Sequence, residues 1–273
     1  MGGQEQTLAA GDEAVLESLL AFWAEAGVDA QYADEPINRL AERARPLAAP
    51  TAMAAAPAPP APAGPDIAAA IAEARRLAAE AQDLSALEQS IAGFDGCSLK
   101  FEGARRAVFA RGNTTAPVMV IGEGPGADED AQGLPFVGRA GQLLDKMLAA
   151  AGLTGQVFIT NTVYWRPPGN RTPTPAEQLV CRPFLEQAIN LVQPRFLLLV
   201  GGASAKSVLK RDEGILALRG RWFEWTSEDQ NLVILSMPTL HPAFLLRQPA
   251  AKKKAWSDLL TLTERLDRPD RPA

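Results

Sequence analysis

The sequence predicts an α/β protein with three layers, α/β/α, in which a central, mostly parallel four-stranded sheet is preceded by a helical N-terminal arm. Short apolar runs alternate with longer segments of helical periodicity over most of the chain after the arm. The runs are almost wholly apolar, which is typical of parallel strands covered by helices on both faces. Hydrophobic residues make up 47% of the 273 residues, enough for a buried core of this kind.

The predicted elements follow one another in regular order. We expect strands at 118–121, 157–161, 196–200 and 232–237, and helices at 139–152, 175–193, 202–210 and 250–266. The helix at 175 has a clear start, because Thr174 can cap it, Pro175 suits its first turn and Glu177 completes a capping box. A long alanine-rich helix, from residue 66 to residue 94, leads into this alternating region.

The composition of the chain changes near residue 66. It predicts an acidic helical arm at 1–46, an Ala/Pro-rich linker at 47–65 and a globular domain at 66–273. Residues 1–65 contain nine acids and three bases, whereas the rest of the chain contains 24 bases and 23 acids. The net charge of −5 therefore comes from the arm, and the near-neutral domain can still bind nucleic acid through a local cluster of bases.

Other features exclude several classes of protein. No apolar run reaches the length of about 18 residues that a membrane span needs, so we expect no membrane association. The N-terminus has neither the basic nor the apolar region of a secretory signal. Cys97 and Cys181 are the only cysteines, which excludes a disulfide scaffold and a closed four-thiolate metal site. We expect a cytoplasmic protein.

A glycine-rich segment, GEGPG at 122–126, follows the first predicted strand. One interpretation is the phosphate-binding turn of a nucleotide enzyme, but the spacing does not match G-x-G-x-x-G and no G-K-[ST] follows. Nearby acids, Glu123 and 128–130, would also repel a phosphate. A carboxylate at a strand end suits the activation of water or the stabilisation of a cation.

Polar side chains follow the second predicted strand. Asn161 offers a planar amide that can read the edge of a nucleobase, although a lone Asn is more often a turn residue. The proline-rich loop that comes next carries Arg166, Asn170 and Arg171, which suit contacts with DNA phosphates. The alternative is an ordinary connection between a strand and a helix.

The chain's single histidine, His241, follows the last predicted strand and precedes Pro242. A lone histidine is more often a core or surface residue than a catalyst. Here it is close to Leu245, Leu246 and Arg247, whose apolar pair next to a charge suits insertion between DNA bases.

Together these segments resemble the uracil-DNA glycosylase superfamily, and most closely its family 4, a bacterial and archaeal type that usually carries an iron–sulfur cluster. The resemblance covers about 94–265, in the same order along the chain. The matching stretches are GEGPGADEDAQGLPFVGRAGQLLDKML (122–148), NTVYWRPPGNRTPTPAE (161–177), CRPFLEQAI (181–189) and HPAFLLR (241–247). The resemblance implies a DNA-repair enzyme that flips uracil out of DNA and hydrolyses its N-glycosidic bond, leaving an abasic site.

The resemblance also implies a role for each matching position. Glu123 would position or polarise the attacking water, and His241 would stabilise charge on the O2 atom of the departing uracil. Leu245, Leu246 and Arg247 would fill the gap left in the duplex. Four residues are expected to hold the base. Phe136 would stack on uracil and Asn161 would hydrogen-bond its edge. Glu129 would help exclude a 5-methyl group, and Gly124 occupies a position at which other branches have Asp.

One departure from the family concerns the iron–sulfur cluster. Its four ligand positions correspond here to Phe94, Cys97, Trp165 and Cys181. Two thiolates cannot hold a cubane cluster in the usual way, so we expect no cofactor. The two aromatic rings are expected to fill the space instead, as close packing requires.

Two alternative functions remain beside this interpretation. A sensor could bind uracil or abasic DNA without cleaving it, but the combination of Glu123, Asn161 and His241 argues against this. A nucleotide-binding enzyme could use 122–126 as a phosphate turn, but the adjacent acids argue against this. We expect a monomer that acts on uracil-containing DNA, and the sequence does not indicate a partner for the arm.

Overall fold

The computed structural model describes residues 67–268. Within this range the chain forms one six-stranded mixed sheet. The strands are β1 (Ala110–Gly112), β2 (Val118–Gly122), β3 (Val157–Asn161), β4 (Phe196–Val200), β5 (Phe223–Thr226) and β6 (Val233–Thr239). They lie in the order β1-β3-β2-β4-β6-β5. The predicted arm and linker at 1–65 lie outside the described residues.

Nine α-helices belong to the described range, which also contains short 3₁₀ helices at Ser98–Phe101, Pro168–Asn170 and Pro249–Ala251. No helix among residues 67–268 is long and apolar enough to cross a membrane. The α-helices are α1 (Ile67–Glu80), α2 (Leu84–Gly93), α3 (Ala127–Gln132), α4 (Arg139–Ala150), α5 (Pro175–Val192), α6 (Gly202–Leu209), α7 (Ile215–Leu218), α8 (Pro242–Arg247) and α9 (Lys252–Asp267).

The α/β class and the parallel centre of the sheet are confirmed, while the number of strands is corrected from four to six. The four predicted strands form the parallel centre, β3-β2-β4-β6. The additional strands, β1 and β5, pair antiparallel at the two edges. Neither edge strand is a continuous apolar run, because β1 reads Ala-Arg-Gly and β5 alternates between exposed and buried residues.

The predicted three layers are present, since the two faces of the sheet bury different helices. In β2, Met119 and Ile121 pack in a core shared with α1, α2 and α5. The alternate residues, Val118 and Val120, pack in a second core with α4 and α9. This alternation is the period of two that a β-strand imposes on its side chains.

The single helix predicted at 66–94 is in fact two helices, α1 and α2. Asp83 separates the two helices. Its carboxylate accepts a hydrogen bond of 2.8 Å from the backbone N–H of Ala86 and caps the start of α2. An aspartate in this position stabilises a helix start better than a helix interior.

Candidate active site

A cavity of about 540 Å³ opens beyond the C-terminal ends of the parallel strands, where ligands bind in open α/β sheets. Its walls come from the loop after β2, the end of β3 and the segment after β6. The cavity brings together the six residues to which the sequence assigned catalysis and base binding. They are Glu123, Gly124, Glu129, Phe136, Asn161 and His241.

The closeness of the first two walls depends on Gly122, the first residue of the glycine-rich segment, to which sequence analysis gave no role of its own. Gly122 is the last residue of β2 and pairs in register with Asn161, the last residue of β3. A Cβ atom at Gly122 would lie 2.4 Å from the Asn161 side-chain oxygen and 2.5 Å from the Phe136 ring. Only glycine therefore lets the amide and the ring approach each other. The sequence feature that could have identified Gly122 is a glycine directly after a predicted apolar strand.

Asn161 presents an unused hydrogen-bonding group at this position. Its side chain is buried, and its Oδ1 atom has no hydrogen-bond partner within residues 67–268. An unpaired buried acceptor costs free energy that a bound donor would recover. The amide is therefore arranged to bind a ligand with a complementary N–H group.

Phe136 forms the aromatic wall of the cavity. Its backbone has a φ of +55°, which is uncommon for a residue with a bulky side chain. Arg111 in β1 holds this turn, since its guanidinium donates to the carbonyl oxygens of Pro135 at 2.7 Å and Phe136 at 3.1 Å. Gly141 leaves room for the same turn, because a Cβ there would overlap the Phe136 carbonyl.

Glu129 joins the two loops of the site. Its carboxylate accepts hydrogen bonds from the backbone N–H groups of Val137 and Gly138, both at 2.9 Å, and of Gly126 at 3.1 Å. The side chain therefore holds the glycine-rich segment against the Phe136 turn while lining the cavity. Its predicted exclusion of a 5-methyl group stays a prediction.

His241 is fixed by the start of α8, for which it is the N-cap. Its Nδ1 atom accepts a hydrogen bond of 3.2 Å from the backbone N–H of Ala243. Burial, and then the positive charge of Arg247, lower the pKa of His241 from 6.5 to about 4, against the opposing effect of Glu129. The ring is therefore neutral near pH 7 and carries its proton on Nε2.

Gly201, which follows β4, leaves room for the side chain of His241. Its φ is +99°, and a Cβ on it would lie 3.1 Å from the Cβ of His241. The imidazole also lies beside the aromatic wall, with 5.8 Å between the ring centroids of His241 and Phe136. Sequence analysis missed Gly201, although it too is a glycine directly after an apolar strand.

Glu123 is half-buried at the cavity wall, and its carboxylate has no hydrogen-bond partner among the described residues. Its backbone is held from β3, because its carbonyl oxygen accepts from the Thr162 hydroxyl at 2.6 Å. The short helix α3 that follows carries three acids in its first turn, at 128–130. This charge opposes the binding of a phosphate, so the geometry argues against the nucleotide-turn interpretation.

The predicted DNA-contacting loop forms the cavity's outer rim. Asn170 and Arg171 line the cavity, and Arg166 donates to Asn170 at 2.8 Å. The Arg171 guanidinium is already engaged, since it donates to both carboxylate oxygens of Glu177, at 2.9 and 2.7 Å, and to Glu102 at 3.2 Å. Arg171 therefore ties the loop to the start of α5.

The segment predicted to enter the duplex divides into buried and exposed residues. Leu246 and Arg247 are exposed, and Arg247 also lines the cavity. Leu245 is fully buried against Leu240 and Ala255, so it anchors α8. Leu245 and Leu246 therefore do not form one exposed apolar pair, because α8 turns the two leucines to different faces.

The four positions that correspond to cluster ligands belong to one buried core, but they do not fit an iron–sulfur cluster. The ring centroids of Phe94 and Trp165 lie 6.5 Å apart, and both rings are buried. The Sγ atoms of Cys97 and Cys181 lie 3.9 Å apart beside them. Within residues 67–268 no group of three or more His, Cys, Asp or Glu side chains could hold a metal ion.

Comparisons with known proteins agree with this geometry. A sequence model of the uracil DNA glycosylase superfamily matches residues 109–260. The type-4 uracil-DNA glycosylase of Pyrobaculum aerophilum is 39% identical over 160 residues, which cover 57% of this chain and 81% of the relative. That of Saccharolobus solfataricus is 37% identical over 168 residues, 59% and 77% of the two chains, and that of Thermotoga maritima 38% over 142 residues, 51% and 71%. The chain therefore belongs to the uracil DNA glycosylase superfamily.

Proposed function

We propose that this chain is a uracil-DNA glycosylase, which draws uracil out of DNA and hydrolyses its bond to the sugar, leaving an abasic site for repair. The observation that carries the proposal is that one cavity is lined by all four of Glu123, Phe136, Asn161 and His241. Its chemistry suits a flipped pyrimidine, and the similarity to type-4 enzymes supports the same activity.

Recognition of the base rests on a ring and an amide. The Phe136 ring offers a stacking surface, which contributes about 1–3 kcal/mol per base in comparable sites. The Asn161 amide, with its unpaired oxygen, suits the N3–H and O4 edge of uracil. Stacking and hydrogen bonding together offset the few kcal/mol that base extrusion costs.

Departure of uracil requires stabilisation of an anion. As the bond between N1 and C1′ breaks, its electron pair moves to the base and negative charge builds on O2. The neutral His241 imidazole donates from Nε2, because its Nδ1 already accepts from Ala243. A neutral imidazole N–H in a water-excluded site stabilises the negative charge that develops on O2 through a hydrogen bond, and the imidazole keeps its proton.

The sugar becomes cation-like as uracil leaves, and a carboxylate next to it is favourable. Glu123 supplies that charge and orients a water molecule toward C1′. The water oxygen forms the new bond to C1′, and its released proton balances the charge of the uracil anion. Leu246 and Arg247 are both exposed, Arg247 lines the cavity, and the two side chains contact the DNA beside the extruded base.

We further propose that the reaction proceeds without an iron–sulfur cluster. Two of the four ligand positions hold the packed rings of Phe94 and Trp165, so the remaining thiols have no partners for a cubane. None of the steps above uses a redox group. The cytoplasmic location and the monomeric state stay predictions.

The test is a cleavage assay on oligonucleotides that contain one uracil, with alkali to reveal abasic sites. We expect cleavage by the wild type and no cleavage of the matched thymine oligonucleotide. His241→Ala and Glu123→Ala should each lose about 100- to 1,000-fold in rate, since each removes one group that stabilises the transition state.

Binding measurements on the same variants separate catalysis from recognition. Both variants should bind uracil-containing DNA about as well as the wild type, whereas Asn161→Ala should weaken binding. Unchanged turnover in His241→Ala and Glu123→Ala would contradict the proposal. Tight binding by the wild type without any abasic product would favour a non-cleaving sensor.

A further inference from the structure

Two thiols lie side by side in the hydrophobic core, away from the candidate active site. Cys97 and Cys181 are 1% and 0% exposed, and their Sγ atoms are 3.9 Å apart, with the Cys181 thiol directed at the Cys97 sulfur. Both are free thiols in this structure. No step of the glycosylase reaction uses them.

Both backbones that carry these thiols are held firmly. Cys181 lies inside helix α5, and Cys97 precedes the 3₁₀ helix at Ser98–Phe101. The Lys100 ammonium group fixes the segment before that helix, because it donates to the carbonyl oxygens of Ala92 at 2.8 Å and Phe94 at 3.1 Å. The closeness of the two sulfurs is therefore a property of the fold.

The pair has an asymmetry that suits oxidation in two steps. The hydrogen bond from the Cys181 thiol, aided by the backbone N–H of Leu99, lowers the pKa of Cys97, although burial opposes this. The same hydrogen bond, together with burial, raises the pKa of Cys181. Cys97 is thus the better nucleophile, and Cys181 is placed to react with it next.

We propose that Cys97 and Cys181 form a redox-responsive site that closes to an intramolecular disulfide when a small hydroperoxide reaches the core. The Cys97 thiolate attacks the O–O bond of hydrogen peroxide, which yields a sulfenic acid at Cys97 and releases hydroxide. The Cys181 sulfur then attacks the sulfenic sulfur, the S–O bond breaks, and a second hydroxide leaves. The two thiol protons and two hydroxides make two water molecules, and peroxide accepts two electrons.

Formation of the disulfide brings the two Sγ atoms from 3.9 Å to about 2.05 Å apart. The new bond would join the segment before β1 to α5, and so enclose β1, β2 and β3 in one covalent loop. Such a loop stabilises the fold by restricting the unfolded chain.

The test uses the full chain, first reduced, then treated with hydrogen peroxide, unfolded, alkylated and digested with trypsin without reductant. We expect peptide 77–100 linked to peptide 172–195, with the link lost after dithiothreitol. The melting temperature of the oxidised protein should rise by about 5 °C or more. The Cys97→Ala variant should show neither the link nor the shift.

A second variant separates the two steps. In Cys181→Ala the sulfenic acid at Cys97 has no partner, so it should accumulate and react with dimedone. The proposal is overturned if both thiols of the wild type stay alkylatable at a peroxide dose that oxidises methionine in the same sample. It is equally overturned if the link forms only between two chains.

Discussion

His241 shows how one half-buried side chain couples the chemistry of the site to protein stability. Its pKa is lowered to about 4 from 6.5, chiefly by burial and next by the charge of Arg247. The imidazole of His241 therefore takes up a proton near pH 6.5 in the unfolded chain, but only near pH 4 in the folded chain. The stability contributed by the neutral ring is fully present above pH 6.5 and is lost as the pH falls toward 4.

This linkage predicts the behaviour of a variant without the titrating ring. In His241→Gln the difference in melting temperature from the wild type should shift in the variant's favour as the pH falls from 6.5 to about 4. Thermal unfolding of both proteins across this interval measures it. A difference that stays constant with pH would show that the ring titrates alike in the folded and unfolded chains.

The residues predicted for the site and the residues missed differ in the range of their contacts. Glu123, Asn161 and His241 lie at or just after the C-terminal ends of apolar strands, and in a parallel sheet those ends meet at one edge. The sequence could therefore predict them. Arg111 could not be found in this way, because its role depends on carbonyl groups in the Phe136 turn that are distant in the chain.

The edge strand β1 illustrates the same limit at the level of elements. Strands β2, β3 and β4 are buried along their whole length, so their apolar runs predict both their positions and their parallel arrangement. Strand β1 has only three residues, none of them fully buried, and it differs from a loop only through its pairing with β3. Pairing of this kind is a tertiary property that local sequence does not carry.

Strand β1 nevertheless affects the site, because it places Arg111 against the Phe136 turn. Arg111→Met should lose about tenfold in kcat/KM, since two hydrogen bonds that hold the aromatic wall disappear. The loss should fall mainly on KM for uracil-containing DNA, because the ring binds the base. Steady-state kinetics on a uracil oligonucleotide give the two constants separately.

A matched control removes only the outer contact of the same arginine. Asp145 accepts from Arg111 at 2.7 Å and is half exposed, so Asp145→Asn should change kcat/KM little. Arg111→Lys keeps the charge and one donor, and should recover part of the loss. An equal loss of kcat/KM in Arg111→Met and Asp145→Asn would mean that the ion pair between these residues matters. It would also mean that the hydrogen bonds from Arg111 to the Phe136 turn do not.

For the whole molecule, the aromatic cluster around Phe94 joins the N-terminal helices to the rest of the domain. Phe94 packs edge-on against Phe184 of α5, with 5.2 Å between the ring centroids, and lies near Trp165 in the loop after β3. All three rings are buried in the core shared by α1, α2 and α5. Apolar packing can thus hold together segments that a cluster would otherwise link.

This arrangement leads to a prediction about metal content. The purified protein should be colourless, contain far less than one iron per chain, and keep its melting temperature and cleavage rate after treatment with a strong chelator. Anaerobic incubation with iron and sulfide should add no visible absorption band, because two thiols cannot complete the four ligands of a cubane. Iron analysis and a visible spectrum measure this directly. A brown protein that loses stability on chelation would show that the chain holds a cluster through ligands outside these four positions. The prediction that the packed rings of Phe94 and Trp165 take the place of a cluster would then be wrong.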